Sequence, residues 1–287
     1  MTSSETQAGR NAARTGPLYI VAAALLWSTA GLLIKYLPWH PMAIASVRSF
    51  LAALVFLAAY RRRIFVKPNR LTWISGIALV LTQSLFVVAN KLTTAANAIM
   101  LQYTSPIFII ILGMLLYHYR PSRREVLAMV GAFAGIFLFF FDNLSPGNQI
   151  GNGLAVFTGL TFAVVFVLNN RPECQTSTAL FIGQAGTFLA GLPFVGTIAS
   201  VTPLQIMSIV LLGFFQLGLS YLLFSRGIRL TSPLNASLLA MAEPLMSPVW
   251  VFLFLGEKPG WIALIGALAV IGSILFLNAG KIKRRDT

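Results

Sequence analysis

Residues 92–106 read LTTAANAIMLQYTSP, and residues 230–244 read LTSPLNASLLAMAEP. At a shift of 138 residues, Leu92-Thr93 falls on Leu230-Thr231, Asn97-Ala98 on Asn235-Ala236, Leu101 on Leu239 and Pro106 on Pro244. Further on, Pro121 falls on Pro259, and no gap is needed. In a chain that is 57% hydrophobic, apolar matches are cheap, but coincident Thr, Asn and Pro are not. Both Pro106 and Pro244 sit inside apolar stretches, where a proline costs about 3 kcal/mol unless neighbours compensate. The same cost at equivalent places indicates an internal duplication.

Outward from this pair, the whole chain reads as membrane-spanning. Only 10% of its 287 residues are charged and its mean hydropathy is +0.81. A soluble domain carries about 25% charge, and a disordered chain would be polar and aromatic-poor. Both classes are excluded. A spanning helix needs about 20 apolar residues. Punctuation by Pro, Gly and charge predicts ten such helices, at 17–37, 41–60, 71–90, 95–118, 124–141, 150–170, 176–198, 203–225, 233–255 and 259–279. The fold class is therefore an all-α polytopic membrane protein. The short alternating segments of a β-barrel are absent. The run from Pro17 to Leu37 is too long for a signal-peptide core and has no clear cleavage site after it, so it reads as a retained first helix.

The organisation that follows is a polar tail (1–16), a first repeat (17–141), a linker (142–149), a second repeat (150–279) and a basic tail (280–287). Each repeat has five helices. Five is odd, so the second must insert upside down. Inverted repeats mark secondary transporters, whose site lies near the midplane between the halves.

The formal charge of +14 would suggest nucleic acid in a soluble protein. Here the charges lie in short runs between apolar stretches, so no nucleic-acid partner is expected. With the N-terminus inside, 17 Lys and Arg fall on the cytoplasmic side, among them Arg61, Arg62, Arg63, Lys67 and Arg70. The other side holds Lys35, Lys91 and Lys258, and Arg48 lies within the second helix. This obeys the positive-inside rule and predicts both termini in the cytoplasm, with the chain multi-pass in a bacterial-type inner membrane.

The single cysteine, Cys174, cannot form an internal disulfide or a multi-Cys metal site. His40 and His118 lie at helix ends and read as interfacial residues. The zinc-hydrolase HExxH pattern and the phosphate-binding GxxxxGK[ST] loop are absent. An intramembrane enzyme would need clustered acids, histidines or a dyad at depth. No metal, no cofactor and no enzymatic chemistry are expected.

Polar groups are costly in a bilayer, so their placement is informative. Glu243 is the acidic residue well inside a predicted span. It reads as a substrate-amine ligand or proton carrier, or else as a packing residue beside a proline kink. Pro106 and Pro244 free the carbonyls of Gln102 and Ala240 from their helical donors. Non-helical backbone at depth is tolerated where it is buried in protein or lines a cavity, so these two helices are expected to line the site and to gate it. Ser105 and Glu243 precede the two prolines, and Asn97 and Asn235 match one another. Gln83, with Asn90 on nearly the same face, and Gln216, with Ser220 one turn on, add polar positions. Trp27, Ser28, Tyr103 and Tyr221 add rings and hydroxyls. Polar ends and aromatic walls suit a small zwitterion. Arg48 could snorkel, bind carbonyls or hold a substrate carboxylate. Gly131, Gly135, Gly266 and Gly272 are expected to let the fifth and tenth helices pack closely.

A family resemblance rests on specific stretches. These are Trp27-Ser28-Thr29 with Lys35, Arg48-Ser49-Phe50, and above all Ala242-Glu243-Pro244-Leu245 running into Gly256-Glu257-Lys258-Pro259. Thr104-Ser105-Pro106-Ile107 running into Tyr119-Arg120-Pro121 is a decayed counterpart that lacks the Gly-Glu pair. Over about residues 17–279 the sequence resembles the EamA branch of the drug/metabolite transporter superfamily. Leu26-Trp27-Ser28-Thr29 and Gln102-Tyr103-Thr104-Ser105-Pro106 are similar to segments of a bacterial branch that exports amino acids, aromatic ones included. The resemblance implies two inverted five-helix halves around a central cavity, moving by alternating access.

The expected function is therefore secondary or facilitative export of small metabolites, amino acids first. The expected partners are that substrate, the bilayer and a coupling proton on Glu243; a monomer suffices. Multidrug, sugar-phosphate or nucleotide-sugar transport remains the alternative, with an intramembrane enzyme or lipid-handling protein behind it. Anionic phosphates should demand several buried basic residues, and only Arg48 is well placed.

Overall fold

In a computed structural model of the chain, residues 3–141, 146, 148–255 and 260–283 are described. They are helical, and no β-strand occurs among them. The first half comprises α1 (Ser3–Trp27), α2 (Ala30–Lys35), α3 (Pro41–Tyr60), α4 (Arg70–Leu92), α5 (Ala95–Gln102), α6 (Ser105–Tyr117) and α7 (Arg123–Phe140). The second comprises α8 (Gln149–Asn169), α9 (Thr176–Val195), α10 (Pro203–Leu211), α11 (Ser220–Leu230), α12 (Pro233–Ala240), α13 (Ala242–Leu255) and α14 (Trp261–Lys283). A π-helical segment, Leu212–Leu219, joins α10 to α11. The expected polar tail is helical from Ser3 onward and continuous with α1. The Gly256-Glu257-Lys258-Pro259 stretch, residues 142–145 and 147 of the linker, and residues 284–287 lie outside the described residues.

The 138-residue shift reappears in the helix ends. α4 ends at Leu92 and α11 at Leu230. α5 covers Ala95–Gln102 and α12 covers Pro233–Ala240; α7 starts at Arg123 and α14 at Trp261. The ends follow local capping chemistry, in which a side chain takes an orphan backbone N–H. The side chains of Asn69 and Thr94 cap α4 and α5, and Ser122 with Glu125 forms a capping box on α7.

Seven stretches among the described residues are long and apolar enough to cross a membrane. They are Pro41–Ile64, Arg70–Asn90, Asn97–Tyr117, Gln149–Asn169, Thr176–Val195, Pro203–Leu230 and Trp261–Ala279. The other three predicted spans are altered by their own residues. The first breaks at Ser28-Thr29, which leaves Thr15–Trp27 as a short apolar helix. The fifth begins with Arg123, Arg124 and Glu125. The ninth breaks at Met241 into α12 and α13.

The most extensive contacts join the two halves. α4 packs on α8 and α1 on α11; α3 packs on α9 and α7 on α14. Under the repeat these are equivalent pairings. α7 and α14 run antiparallel: Gly135 meets Gly266, Gly131 meets Ser273, and Arg124 at the start of α7 donates to Phe276 O near the end of α14. A Cβ at Gly135 would lie 2.8 Å from Gly266 O, and one at Gly266 would lie 2.4 Å from Phe139 N. Only glycine permits this approach, as in small-residue packing of membrane helices. Gly272 plays no such part, because nothing lies within 4 Å of a Cβ built there.

Candidate functional site

The halves meet at three helix breaks. At the first, the Ser28 hydroxyl donates to Leu25 O (2.6 Å) and the Thr29 hydroxyl to Leu26 O (2.7 Å). Such back-bonding competes with the helical ladder and bends helices. Trp250 Nε1 of α13 donates to Ser28 Oγ at 2.8 Å, which pins this break to the second half.

The other two breaks are the equivalent ones before Pro106 and Pro244, and the freed carbonyls are treated differently. Gln102 O is covered by α8 at Gly159, where a Cβ would lie only 2.9 Å from it. Ala240 O accepts a hydrogen bond from the Tyr103 hydroxyl at 3.2 Å. The same hydroxyl lies 2.9 Å from Glu243 Oε2. Beside it, Ser105 Oγ and Ser237 Oγ are 3.1 Å apart. Tyr103 and Ser105 belong to the first half; Ala240, Glu243 and Ser237 belong to the second.

Around this junction stand groups of opposite charge. Arg48 of α3, Tyr221 of α11 and Glu243 of α13 lie within electrostatic reach of one another. Gln83 of α4 accepts from the Ser49 hydroxyl (3.3 Å) and approaches the Tyr221 hydroxyl. Trp27 stacks with Tyr221 (5.1 Å between ring centres) and Phe224 (5.8 Å), and its edge meets Phe162 at 6.3 Å. All of these except Glu243 are buried; Glu243 is partly buried.

Two buried polar atoms of this cluster have no hydrogen-bond partner: Trp27 Nε1 and Arg48 Nε. Buried polar groups are ordinarily paired, so each orphan calls for an explanation. Both are donors, and both stand in the same cluster as Tyr221. Gln216 lies on the π-helical segment, a distortion frequent at functional sites.

One cavity adjoins the first break and a second lies at the far end of α3. The first, of about 540 Å³, is bounded by α1, α11 and α13, with Thr29 and Trp250 in its wall. The second, of about 320 Å³, lies between Tyr60, Gln175, Ser225 and Arg229. Neither includes Arg48, Gln83 or Glu243.

Of the residues singled out from the sequence, the structure brings together Trp27, Gln83, Tyr103, Tyr221 and Glu243, with Ser28 at the first break. Asn97 and Asn235 are engaged by protein groups. Asn97 Nδ2 reaches Asn152 Oδ1 (3.2 Å), and Asn235 exchanges hydrogen bonds with Asn278 at 3.1 and 3.0 Å. Ser220 donates to Gln216 O and Leu217 O of its own helix. Asn90 likewise donates to Phe86 O of its own helix (3.0 Å). Sequence reading missed Ser49, Trp250 and the π-helical segment. Trp250 was findable: it lies seven residues after Glu243, on nearly the same helix face. Ser49 directly follows Arg48.

Comparison with known proteins places this arrangement. The model of the EamA-like transporter family matches residues 14–141 and again 149–279. The chain belongs to the EamA-like transporter family. The two matches correspond to the two halves of the fold. YicL of Salmonella typhimurium, described as an uncharacterized inner membrane transporter, is 26% identical over 296 residues, covering 94% of this chain and 97% of that protein. An uncharacterized transporter of Archaeoglobus fulgidus is 25% identical, covering 91% and 96%. A solved crystal structure with 20% sequence identity superposes with a TM-score of 0.81 over 92% of this chain and 97% of its own, which shows the shared fold.

Proposed function

We propose that this transporter exports small zwitterionic metabolites, amino acids first, by alternating access of two inverted halves. In this reading all ten predicted helices cross the membrane, with both termini in the cytoplasm as the positive-inside count indicates. The observation that carries the substrate class is the pairing of a buried Arg48, its Nε without a partner, with Glu243 in one cluster. A zwitterion supplies a carboxylate for Arg48 and an ammonium for Glu243. Gln83 offers a further polar contact, and Trp27 and Tyr221 offer aromatic wall. The resemblance of residues 26–29 and 102–106 to the amino-acid exporter YddG points the same way. Glu243 is also the group on which a coupling proton would ride.

No covalent chemistry is involved. Helix breaks at equivalent places in two halves are where such transporters build their site. The breaks at Ser28, Tyr103 and Met241 converge on one cluster, so rocking there would open it to one side and then the other.

The test is uptake of labelled amino acids into proteoliposomes, at acidic and at neutral internal pH, against empty vesicles. Uptake that unlabelled amino acids compete away supports the reading and ranks substrates. A folded protein that moves no amino acid but moves cationic drugs or phosphorylated metabolites overturns the substrate class.

A further inference from the structure

The hydroxyl of Tyr103 carries one proton and faces two acceptors. Ala240 O lies 3.2 Å away and Glu243 Oε2 lies 2.9 Å away. Pro244 has removed the helical donor of the Ala240 carbonyl, and Ala240 is buried. The number of bonds that can form here depends on a second proton. An ionised carboxylate only accepts. Against it, the Tyr103 proton can serve the carboxylate or the carbonyl, and the charge-assisted bond is the stronger. A protonated carboxyl can instead donate to the Tyr103 oxygen. Tyr103 then donates to Ala240 O, and every group is paired.

We infer that Tyr103, Ala240 and Glu243 form a strap between the two halves that is complete only while Glu243 carries a proton. Loss of that proton leaves the Ala240 carbonyl without its cross-half donor and loosens the junction of α5 and α6 with α12 and α13. Tyr103 is a positioning residue here: it converts a protonation event on one half into a contact between halves. The other ionisable groups facing Glu243 are Arg48 from α3 and Tyr221 from α11. The neighbouring Ser105–Ser237 contact joins the same halves. Its hydroxyls do not titrate, so it holds the register while the strap opens. The inference concerns the proton on Glu243 and does not depend on which substrate is carried.

Hydrogen–deuterium exchange of the intact protein in lipid nanodiscs tests it without a substrate. After correction for the intrinsic effect of pH on exchange, peptides covering 95–106 and 236–246 should be several-fold better protected in mildly acidic than in mildly alkaline buffer. Helix α9 serves as the internal reference. In Glu243→Gln the amide N–H donates to Tyr103 as a carboxylic acid would, so acid-like protection should persist at every pH. In Tyr103→Phe protection should be low at every pH. Wild-type protection that ignores pH overturns the strap, as does a normal pH response in either variant. If Tyr103→Phe also loses α9 protection, the wild type and Glu243→Gln decide the question. A failure of amino-acid flux would leave this result standing and would bear on the substrate alone.

Discussion

The indole nitrogen of Trp250 and the hydroxyl of Ser28 lie 2.8 Å apart, so a second-half side chain holds the break in the first helix. Hydrogen bonds between membrane helices contribute about 0.6 kcal/mol each on average. Trp250→Phe should therefore cost about that much in an unfolding titration in detergent. Transport should fall further, because in the proposed rocking the break loses its anchor to the other half. Equal losses in stability and initial rate would make the contact merely structural.

The glycine contact of α7 with α14 predicts a sharp positional contrast. A Cβ at Gly135 would lie 2.8 Å from both Gly266 O and Val270 N, which are backbone atoms that cannot swing aside. Overpacking of this kind costs about 1–3 kcal/mol. Gly135→Leu should lower the thermal midpoint markedly. Gly272→Leu, with nothing within 4 Å of its Cβ, should leave the midpoint nearly unchanged. Thermal unfolding of the two variants side by side is the measurement, and equal effects would contradict the packing described.

Arg48 is buried, and its Nε has no partner. If it holds a substrate carboxylate, Arg48→Gln should raise the KM for an amino acid about tenfold or more, since a hydrogen bond to a charged group is worth about 1.5–3 kcal/mol. The amine analogue without a carboxylate should be transported equally by both forms. A loss that is the same for both compounds would mean that Arg48 supports the fold instead.

Much of the fold was legible because the repeat preserves register. Leu92 and Leu230, and Pro106 and Pro244, sit at equivalent places and mark equivalent helix ends and breaks. The break at Ser28 was not legible. Its cause is two hydroxyls that capture their own backbone carbonyls, helped by Trp250, which is 222 residues distant in sequence. The π-helical segment was hidden for a similar reason. Gly213 and Gly218 let it close on Leu51 and Val55 of α3, a fit that no local pattern encodes. Site residues were legible by polarity alone, which cannot tell an orphan from a satisfied group. Trp27 keeps an unpaired Nε1, whereas Asn97 and Asn235 are tied to Asn152 and Asn278.

Glu243→Gln tests proton coupling. The amide keeps the size of the side chain and its contact with Tyr103 but cannot carry a proton. Uptake driven by an imposed pH gradient should disappear, while exchange of labelled for unlabelled substrate across the vesicle should continue with a raised KM, because the amide still accepts from the substrate ammonium but carries no charge. Gradient-driven uptake that survives in the variant would remove Glu243 from the coupling role.

Cys174 offers a built-in probe of folding, because it is the single cysteine of the chain and is fully buried in the loop between α8 and α9. Burial pushes its thiol above the usual cysteine range, opposed by the Thr72 hydroxyl and by the positive charge of Arg229. Arg229 also donates to Thr176 Oγ1 (2.9 Å) and to the Cys174 carbonyl, which closes this loop over the end of α11. The thiolate is the form that reacts with maleimides. A thiol that titrates high stays protonated at neutral pH, so the native protein should label slowly, and faster as pH rises. Unfolding in denaturant should release one reactive thiol per chain. Arg229→Ala should speed native labelling severalfold, because losing its bonds to Thr176 and Cys174 opens the loop, even though removing its charge alone would slow the reaction. Native labelling as fast as in the unfolded chain would contradict the closed loop.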